Sequence, residues 1–486
     1  MRLFLLFLLS QLLIAHTPVE GKSASLPRLQ ESAVADSTLI DVTIEGLGAG
    51  KIRLVGSYGD QNYLADSTDA DASGHFVLRR EHPLPAGFYY FLLPGQKNFS
   101  ILVDQEDQKM TLRAKAADIT GTMQVSGSVN TELLYRNFKF QSAQDPELGQ
   151  LGQILRTNQA SSPEYRQAKA RQTKLLDERK AHLDTLFKTY PKAFFTKFKI
   201  AGQNPDWPEF RKTNGDLDTL RNLLYYREHF WDGVDFTDNR MLNTPVIFNK
   251  LKRYITELTP QQPDSIIKVA DPLVQRVLPY TEYFKFIVNW IGLNYENGKT
   301  KVMDGEAVYV YLIDKYITPE RATWDTPENI GKLRKKVDEM KASLMGRKGP
   351  DVRAQDVNGN FKTIYEMTAP VVVVFMYSPD CEHCQEQSPE IQRIYEKWKN
   401  RGVDFYGIAV NTTEDEWKAF VRKNGFTFTN VFDPTNRAIY GKYFVDITPE
   451  LYILNKDRII VAKNLVAGQL ETMFERELRK IGMLKE

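Results

Sequence analysis

Residues 378–384 read Ser378-Pro379-Asp380-Cys381-Glu382-His383-Cys384, and the chain is best understood outward from them. The apolar run Val371-Val372-Val373-Val374-Phe375-Met376-Tyr377 leads in, and a helix-prone segment from Gln385 to Lys399 leads out. A buried strand that delivers two cysteines, three positions apart, to the start of a helix is the layout of thiol–disulfide chemistry. The chain has only two cysteines, and both stand here. Two intervening residues make one helical turn, so the sulfurs can meet at the helix N-terminus. Unpaired N–H groups and the helix dipole favour negative charge there, and the thiolate is the species that attacks a disulfide.

On the C-terminal side, Val403–Val410 reads as a buried strand. Thr413-x-x-Glu416 is a capping box that opens a helix to Lys423, closed by Gly425. Thr427–Phe432 reads as a short strand, and Leu451–Leu454 with Ile459–Ala462 as a hairpin. Leu470, Met473, Phe474, Leu478 and Ile481 line one face of a terminal helix. Upstream, Asp351–Asp356 and Phe361–Ile364 flank Asn358-Gly359, a hairpin signal, after a linker at Gly346–Gly349. The alternation predicts an α/β domain over 346–486, a mixed sheet with helices on both faces.

Residues 129–345 are helix-prone and charged. Candidates run through Glu132–Ser142, Pro163–Lys188, Leu217–Phe230, Val246–Leu258, Pro272–Ile291 and Val308–Tyr316, an all-α domain. The aromatics Tyr225, Tyr226, Phe230 and Trp231 fall at helical spacing, which favours a packed core over a ligand site. Arg334-Lys335-Lys336 reads as a solvated face. Residues 26–128 show short alternating strands with turn signals, predicting an all-β, sandwich-like domain. Its Gly46-x-Gly48-x-Gly50 resembles a phosphate loop only superficially. No helix follows it, so a hairpin connection is the expectation. No catalytic cluster stands here, and a surface or packing role is the expectation for His75 and His82.

Residues 1–25 read as a secretory signal. Met1-Arg2 is basic, and Leu3 to Ala15 is apolar but for Ser10 and Gln11. Such a run suits the ~7–15-residue core of a signal and falls short of the ~20 residues of a span. Cleavage between Ala15 and Ser25 is expected, with an uncleaved anchor as the alternative. The expectation is an exported protein of the periplasm or cell envelope, with no membrane span after signal removal. Lysine plus arginine number 64 against 62 aspartate plus glutamate, so no basic excess marks a nucleic-acid binder.

From Met345 to Glu486 the chain resembles a thioredoxin-fold domain of the TlpA/ResA type, within the redoxin (AhpC/TSA) superfamily. Gly346–Asp351 matches the entry segment, Asn358-Gly359 the entry hairpin, and Cys381 with Cys384 the redox pair. Pro389 matches the proline of the active-site helix, and Thr448-Pro449 the cis-proline. The two upstream parts resemble a β-rich and a helical domain of unknown function found in the same arrangement.

The resemblance implies an exported thiol–disulfide oxidoreductase with Cys381 and Cys384 as the catalytic, disulfide-forming pair. Cys381 would be the exposed attacking thiol and Cys384 the buried resolving one. Glu382, His383, Thr448 and Pro449 would support them, the proline lying against the pair. Partners would be protein dithiol or disulfide clients and an upstream redox partner. No cofactor and no metal are expected.

Three departures stand out. Asp380 occupies a position where tryptophan is common, and Phe375 stands where thioredoxins carry a buried acid. Glu382-His383 replaces a pair that often contains proline. A protonated His383 would stabilise the Cys381 thiolate and Glu382 would oppose it, so redox direction stays open.

Other readings compete. A peroxiredoxin-like thiol peroxidase asks for Pro-x-x-x-Thr/Ser-x-x-Cys. Ser378 and Cys381 fit, but Val374 stands at the proline position. Zinc needs about four ligands, and Cys381, His383 and Cys384 are too crowded to act on one ion. Covalent haem asks for histidine after the second cysteine, where Gln385 stands. An envelope binding or assembly protein with a secondary redoxin domain is the alternative from a different class.

Overall fold

The computed structural model describes residues 37–484 except 297, 298, 301 and 446. The expected signal lies outside the described residues. The protein is multidomain, with a β-rich N-terminal region, a helical middle and a C-terminal α/β domain.

Eight strands build the first region: β1 (Thr38–Glu45), β2 (Gly50–Tyr58), β3 (Gln61–Ala70), β4 (His75–Arg80), β5 (Gly87–Leu92), β6 (Asn98–Val103), β7 (Lys109–Lys115) and β8 (Gln124–Ser126), with a helical turn α1 (Ile119–Thr122) before β8. They form two four-stranded sheets, ordered β4-β1-β7-β8 and β3-β2-β5-β6. Alternate residues Ile40, Val42 and Ile44 of β1 meet Ile52 and Leu54 of β2 in one core. The expected hairpin at Gly46–Gly50 is therefore corrected: β1 and β2 lie in different sheets, and the glycine segment crosses between them. Both strands send apolar residues to the shared interior, which pairing side by side in one sheet would not require. His75 lies at the surface, its ring 3.3 Å from Asp41 and 3.8 Å from Asp71.

The middle region holds α2 (Val129–Thr157), α3 (Pro163–Thr189), α4 (Phe194–Gly202), α5 (Thr219–Glu228), α6 (Pro245–Lys252), α7 (Pro263–Val277), α8 (Thr281–Asn294), α9 (Glu306–Tyr316) and α10 (Pro327–Met340). The single helix expected over Pro272–Ile291 is instead the end of α7 and the whole of α8. Pro263 starts α7 at a position where no N–H is needed, and Pro272 is carried inside it. Tyr226, Phe230 and Trp231 are buried core, while Tyr225 stays exposed. Arg334 is not simply solvated: it donates to the carbonyl oxygens of Asp314 and Ile317 at 3.0 Å, satisfying the C-terminal end of α9.

The last region is built on β9 (Arg353–Asp356), β10 (Phe361–Thr363), β11 (Val371–Tyr377), α11 (Glu382–Trp398), β12 (Val403–Ala409), α12 (Glu414–Asn424), β13 (Thr429–Phe432), β14 (Glu450–Leu454), β15 (Ile460–Ala462) and α13 (Leu470–Lys480). The sheet order is β10-β9-β13-β12-β11-β14-β15. β11 runs parallel to β12 and antiparallel to β14. All seven β11 residues are buried, as a continuous apolar strand covered on both faces should be.

Val371, Val373, Phe375 and Tyr377 point to a core shared with Ile391, Trp398, Trp417 and Phe474, so α11, α12 and α13 cover one face. Val372, Val374 and Met376 meet Ile364, Ile439 and Tyr443 on the other. The expectation of helices on both faces is thus corrected. The second face carries only short helical turns, Ile364–Glu366 and the π-helical Ala438–Tyr443, and no full α-helix among the elements of this core.

Nor is Gly346–Gly349 a free linker. The Gly346 N–H donates to Ile460 at 2.9 Å and the Ile460 N–H to Arg347 at 2.8 Å, pairing the segment with the sheet's edge.

Candidate active site

Cys381 is the N-cap of α11, and its sulfur accepts the N–H of Cys384 at 3.2 Å. On its other side, the Cys381 thiol donates to the Thr448 carbonyl oxygen, also at 3.2 Å. The amide dipole favours negative charge on this sulfur. The carbonyl lone pair is satisfied only while the sulfur keeps its proton. Cys381 is partly exposed and Cys384 is buried, and both thiols are free. Burial pushes the Cys384 thiol up to about 12, with the Cys381 side chain adding to the effect.

The local chain explains this placement. Strand β11 ends at Tyr377, and the Cys381 N–H donates to Ser378 O at 3.2 Å, closing a tight turn into the helix. The Gln385 amide reaches back to Pro379 O at 2.7 Å and braces the turn. Pro389 sits inside α11 and cannot donate to the carbonyl one turn earlier. Beside it, the Ser388 hydroxyl donates to Cys384 O at 2.7 Å. Thr448-Pro449 is a cis peptide bond.

The six site residues expected from sequence do not all converge. Cys381, Cys384 and Thr448 are joined by hydrogen bonds, with Pro449 next in chain. Glu382 is exposed on the first turn of α11. The His383 side chain is 76% exposed, and its Nδ1 lies 3.2 Å from Glu386 Oε2. Any charge on that ring therefore has a carboxylate partner one turn along the helix. The buried aromatic Phe375 stacks on Tyr377 at 4.8 Å, so no acid lies at that place in β11.

Sequence reasoning missed the other side of the Thr448–Pro449 turn. Glu450, the next residue, is buried, and burial pushes its carboxyl up to about 8. Asn464 Nδ2 lies 3.4 Å from Glu450 Oε1 and 3.5 Å from Glu306 Oε1. Lys463, with no exposed side-chain surface, pairs with Glu306 and lies 3.9 Å from Asp304 Oδ1. Its ammonium also donates to Ser343 O at 2.9 Å. Burial pushes the Asp304 carboxyl up to about 7. A charged residue opening the otherwise apolar strand Glu-Leu-Tyr-Ile-Leu was the one available signal. Among the described residues, no group of three or more His, Cys, Asp or Glu side chains is placed to hold a metal ion.

Residues 345–463 match the AhpC/TSA family, and residues 38–134 match a domain of unknown function, DUF4369. The chain is similar to the thiol-disulfide oxidoreductase ResA of Bacillus cereus, 25% identical over 137 residues, covering 28% of this chain and 78% of the relative. The protein of the same name from Geobacillus kaustophilus is 22% identical over 144 residues, covering 29% of this chain and 81% of the relative. Among solved structures, a thioredoxin-like protein from Bacteroides caccae matches with a TM-score of 0.48 at 16% identity, over 56% of this chain and 96% of that one.

Proposed function

From a chain that ends in a thioredoxin-like thiol–disulfide oxidoreductase domain, we propose an exported enzyme that exchanges disulfides with envelope proteins through Cys381 and Cys384. The observation that carries this reading is the asymmetry of the pair. Cys381 is accessible and holds a helix N–H on its sulfur, while Cys384 is buried and kept as a thiol.

In the reducing direction, the Cys381 thiolate attacks one sulfur of a client disulfide. A Cys381–client bond forms, the client S–S bond breaks, and one client thiolate leaves and takes up a proton. Cys384 then loses its proton and attacks Cys381 Sγ. The intramolecular disulfide forms and the second client thiolate departs. Two electrons have passed from the enzyme to the client, and a dithiol partner of the chain must return them. Run backwards, the same steps oxidise a client dithiol.

Export is supported by the apolar run Leu3–Ala15 after a basic start. Among the described residues, no helix is long and apolar enough to cross a membrane.

The test is thiol labelling of the denatured full chain after controlled oxidation, with and without prior reductant. A difference of two labels per chain supports the reversible pair, and equal labelling overturns it.

A further inference from the structure

Glu450 follows Pro449 directly, and Thr448 carries the carbonyl that accepts the Cys381 thiol. The turn is therefore held from both ends. One end meets the attacking sulfur. The other meets a buried cluster that belongs partly to the helical region, since Glu306 opens α9 and Asp304 lies just before it.

Further contacts tie the same group together. The Asp304 N–H donates to Asn464 Oδ1 at 3.1 Å, and Asp304 Oδ2 accepts the Met345 N–H at 3.2 Å. The Lys463 ammonium stands 5.2 Å from the centre of the Tyr452 ring, and the Tyr452 hydroxyl lies 3.5 Å from Glu450 Oε1. Asp264, at the start of α7, is a further negative group acting on Asp304.

We propose that Asp304, Glu306, Glu450 and Lys463 are positioning residues. Through them the helical region holds the Thr448–Pro449 turn against Cys381, so that the reactivity of Cys381 depends on contacts made outside the redoxin domain.

The charge count gives the cluster two states. Three carboxylates face one ammonium, and Lys463 neutralises one of them, Glu306. The other two cannot both be ionised without leaving uncompensated negative charge in a buried site. Below neutral pH they hold protons, the cluster is close to neutral, and the turn stays fixed. As pH rises through the titration of Asp304 and Glu450, like charges repel across the junction. The turn can then shift, and the carbonyl moves relative to Cys381 Sγ.

This inference rests on Cys381 being the attacking thiol. The test uses the reduced full chain and follows alkylation by iodoacetamide from about pH 5 to about pH 10, a range spanning carboxyl and thiol titrations. Digestion and mass spectrometry assign the label. The wild-type profile should carry a step between pH about 7 and about 8, set by the raised Asp304 and Glu450 carboxyls.

Glu450→Gln should remove its part of that step and change the Cys381 rate near neutrality by about fivefold or more, the lower end of ordinary coupling between sites. Glu306→Gln should move the step to lower pH, because the Glu306 charge helps hold both other carboxyls up.

A wild-type measurement covers the case in which a variant does not fold. Coupling is reciprocal, so the infrared band of the protonated buried carboxyls should titrate about 0.7 pH units or more apart in the reduced and oxidised forms. Variant profiles that superimpose on wild type, or identical carboxyl titrations in the two redox forms, overturn this inference alone. A first label on Cys384 instead of Cys381 overturns it together with the proposed function.

Discussion

The Thr448–Glu450 turn separates two neighbourhoods that differ in almost every physical respect. On one side lies a partly exposed thiol between a backbone amide and a backbone carbonyl. On the other lies a buried knot of three carboxylates and one lysine. The first pairs the single turn Cys381–Cys384 with one distant carbonyl, that of Thr448. The second gathers residues 304, 306, 450 and 463 across the domain junction. The two sulfurs are thus locally encoded, whereas what holds the turn beside them is not.

The largest effect should come from the sulfur side. Cys381→Ser removes the nucleophile, and disulfide-exchange turnover should fall to the background of the uncatalysed reaction. The protein should remain folded, because Cys381 is not buried. Exchange rate and near-ultraviolet circular dichroism check both halves of this statement.

The carboxylate side should answer in stability first. Lys463→Met removes the cluster's cation and leaves the buried Glu306 carboxylate without its partner, a change that costs about 3–5 kcal/mol. Lys397→Met breaks the exposed pair with Glu471, which contributes no more than about 1 kcal/mol. Urea denaturation of the two variants should rank them in that order. Equal midpoints would remove the reason for treating the buried knot as special.

The pH dependence follows with a definite sign. Glu450 and Asp304 have carboxyls raised in the folded state, to about 8 and about 7. Between the ordinary carboxyl value and these values the folded protein binds more protons than the unfolded chain. Their contribution to stability is complete below the ordinary carboxyl range. It is lost as pH rises through about 7 and about 8. Glu450→Gln should flatten that decline, and thermal midpoints across the window measure it.

The smallest effect belongs to the fold alone. Thr413 and Glu416 form a reciprocal capping box at the start of α12, with the cap's hydrogen bonds kept within residues 412–416. Thr413→Ala should cost about 1 kcal/mol and leave the exchange rate per folded molecule unchanged.

These contrasts also show what was legible in the sequence. Cys381, Cys384 and the strand before them announce themselves through spacing and apolar run length. The capping box and the Asn358-Gly359 hairpin do the same through local turn chemistry. β3 escaped because its stretch is rich in aspartate, asparagine and serine and shows no alternation, yet it pairs with β2 along its full length. The glycine crossing between β1 and β2 escaped because strand pattern reports burial and not which sheet a strand joins. His383 looked like a neighbour of the sulfur, and only the fold reveals Glu386 taking its ring. The carboxylate knot was out of reach because no periodicity links Asp304 to Glu450.

In the proposed mechanism Cys381 attacks and Cys384 resolves. Cys384→Ser, incubated with a disulfide-bonded client peptide, tests it most directly. Without a resolving thiol the first step should stop at a mixed disulfide, and digestion should map the client to Cys381. A stable client adduct on Cys384 in the Cys381→Ser chain, with none on Cys381 in the Cys384→Ser chain, would contradict the account.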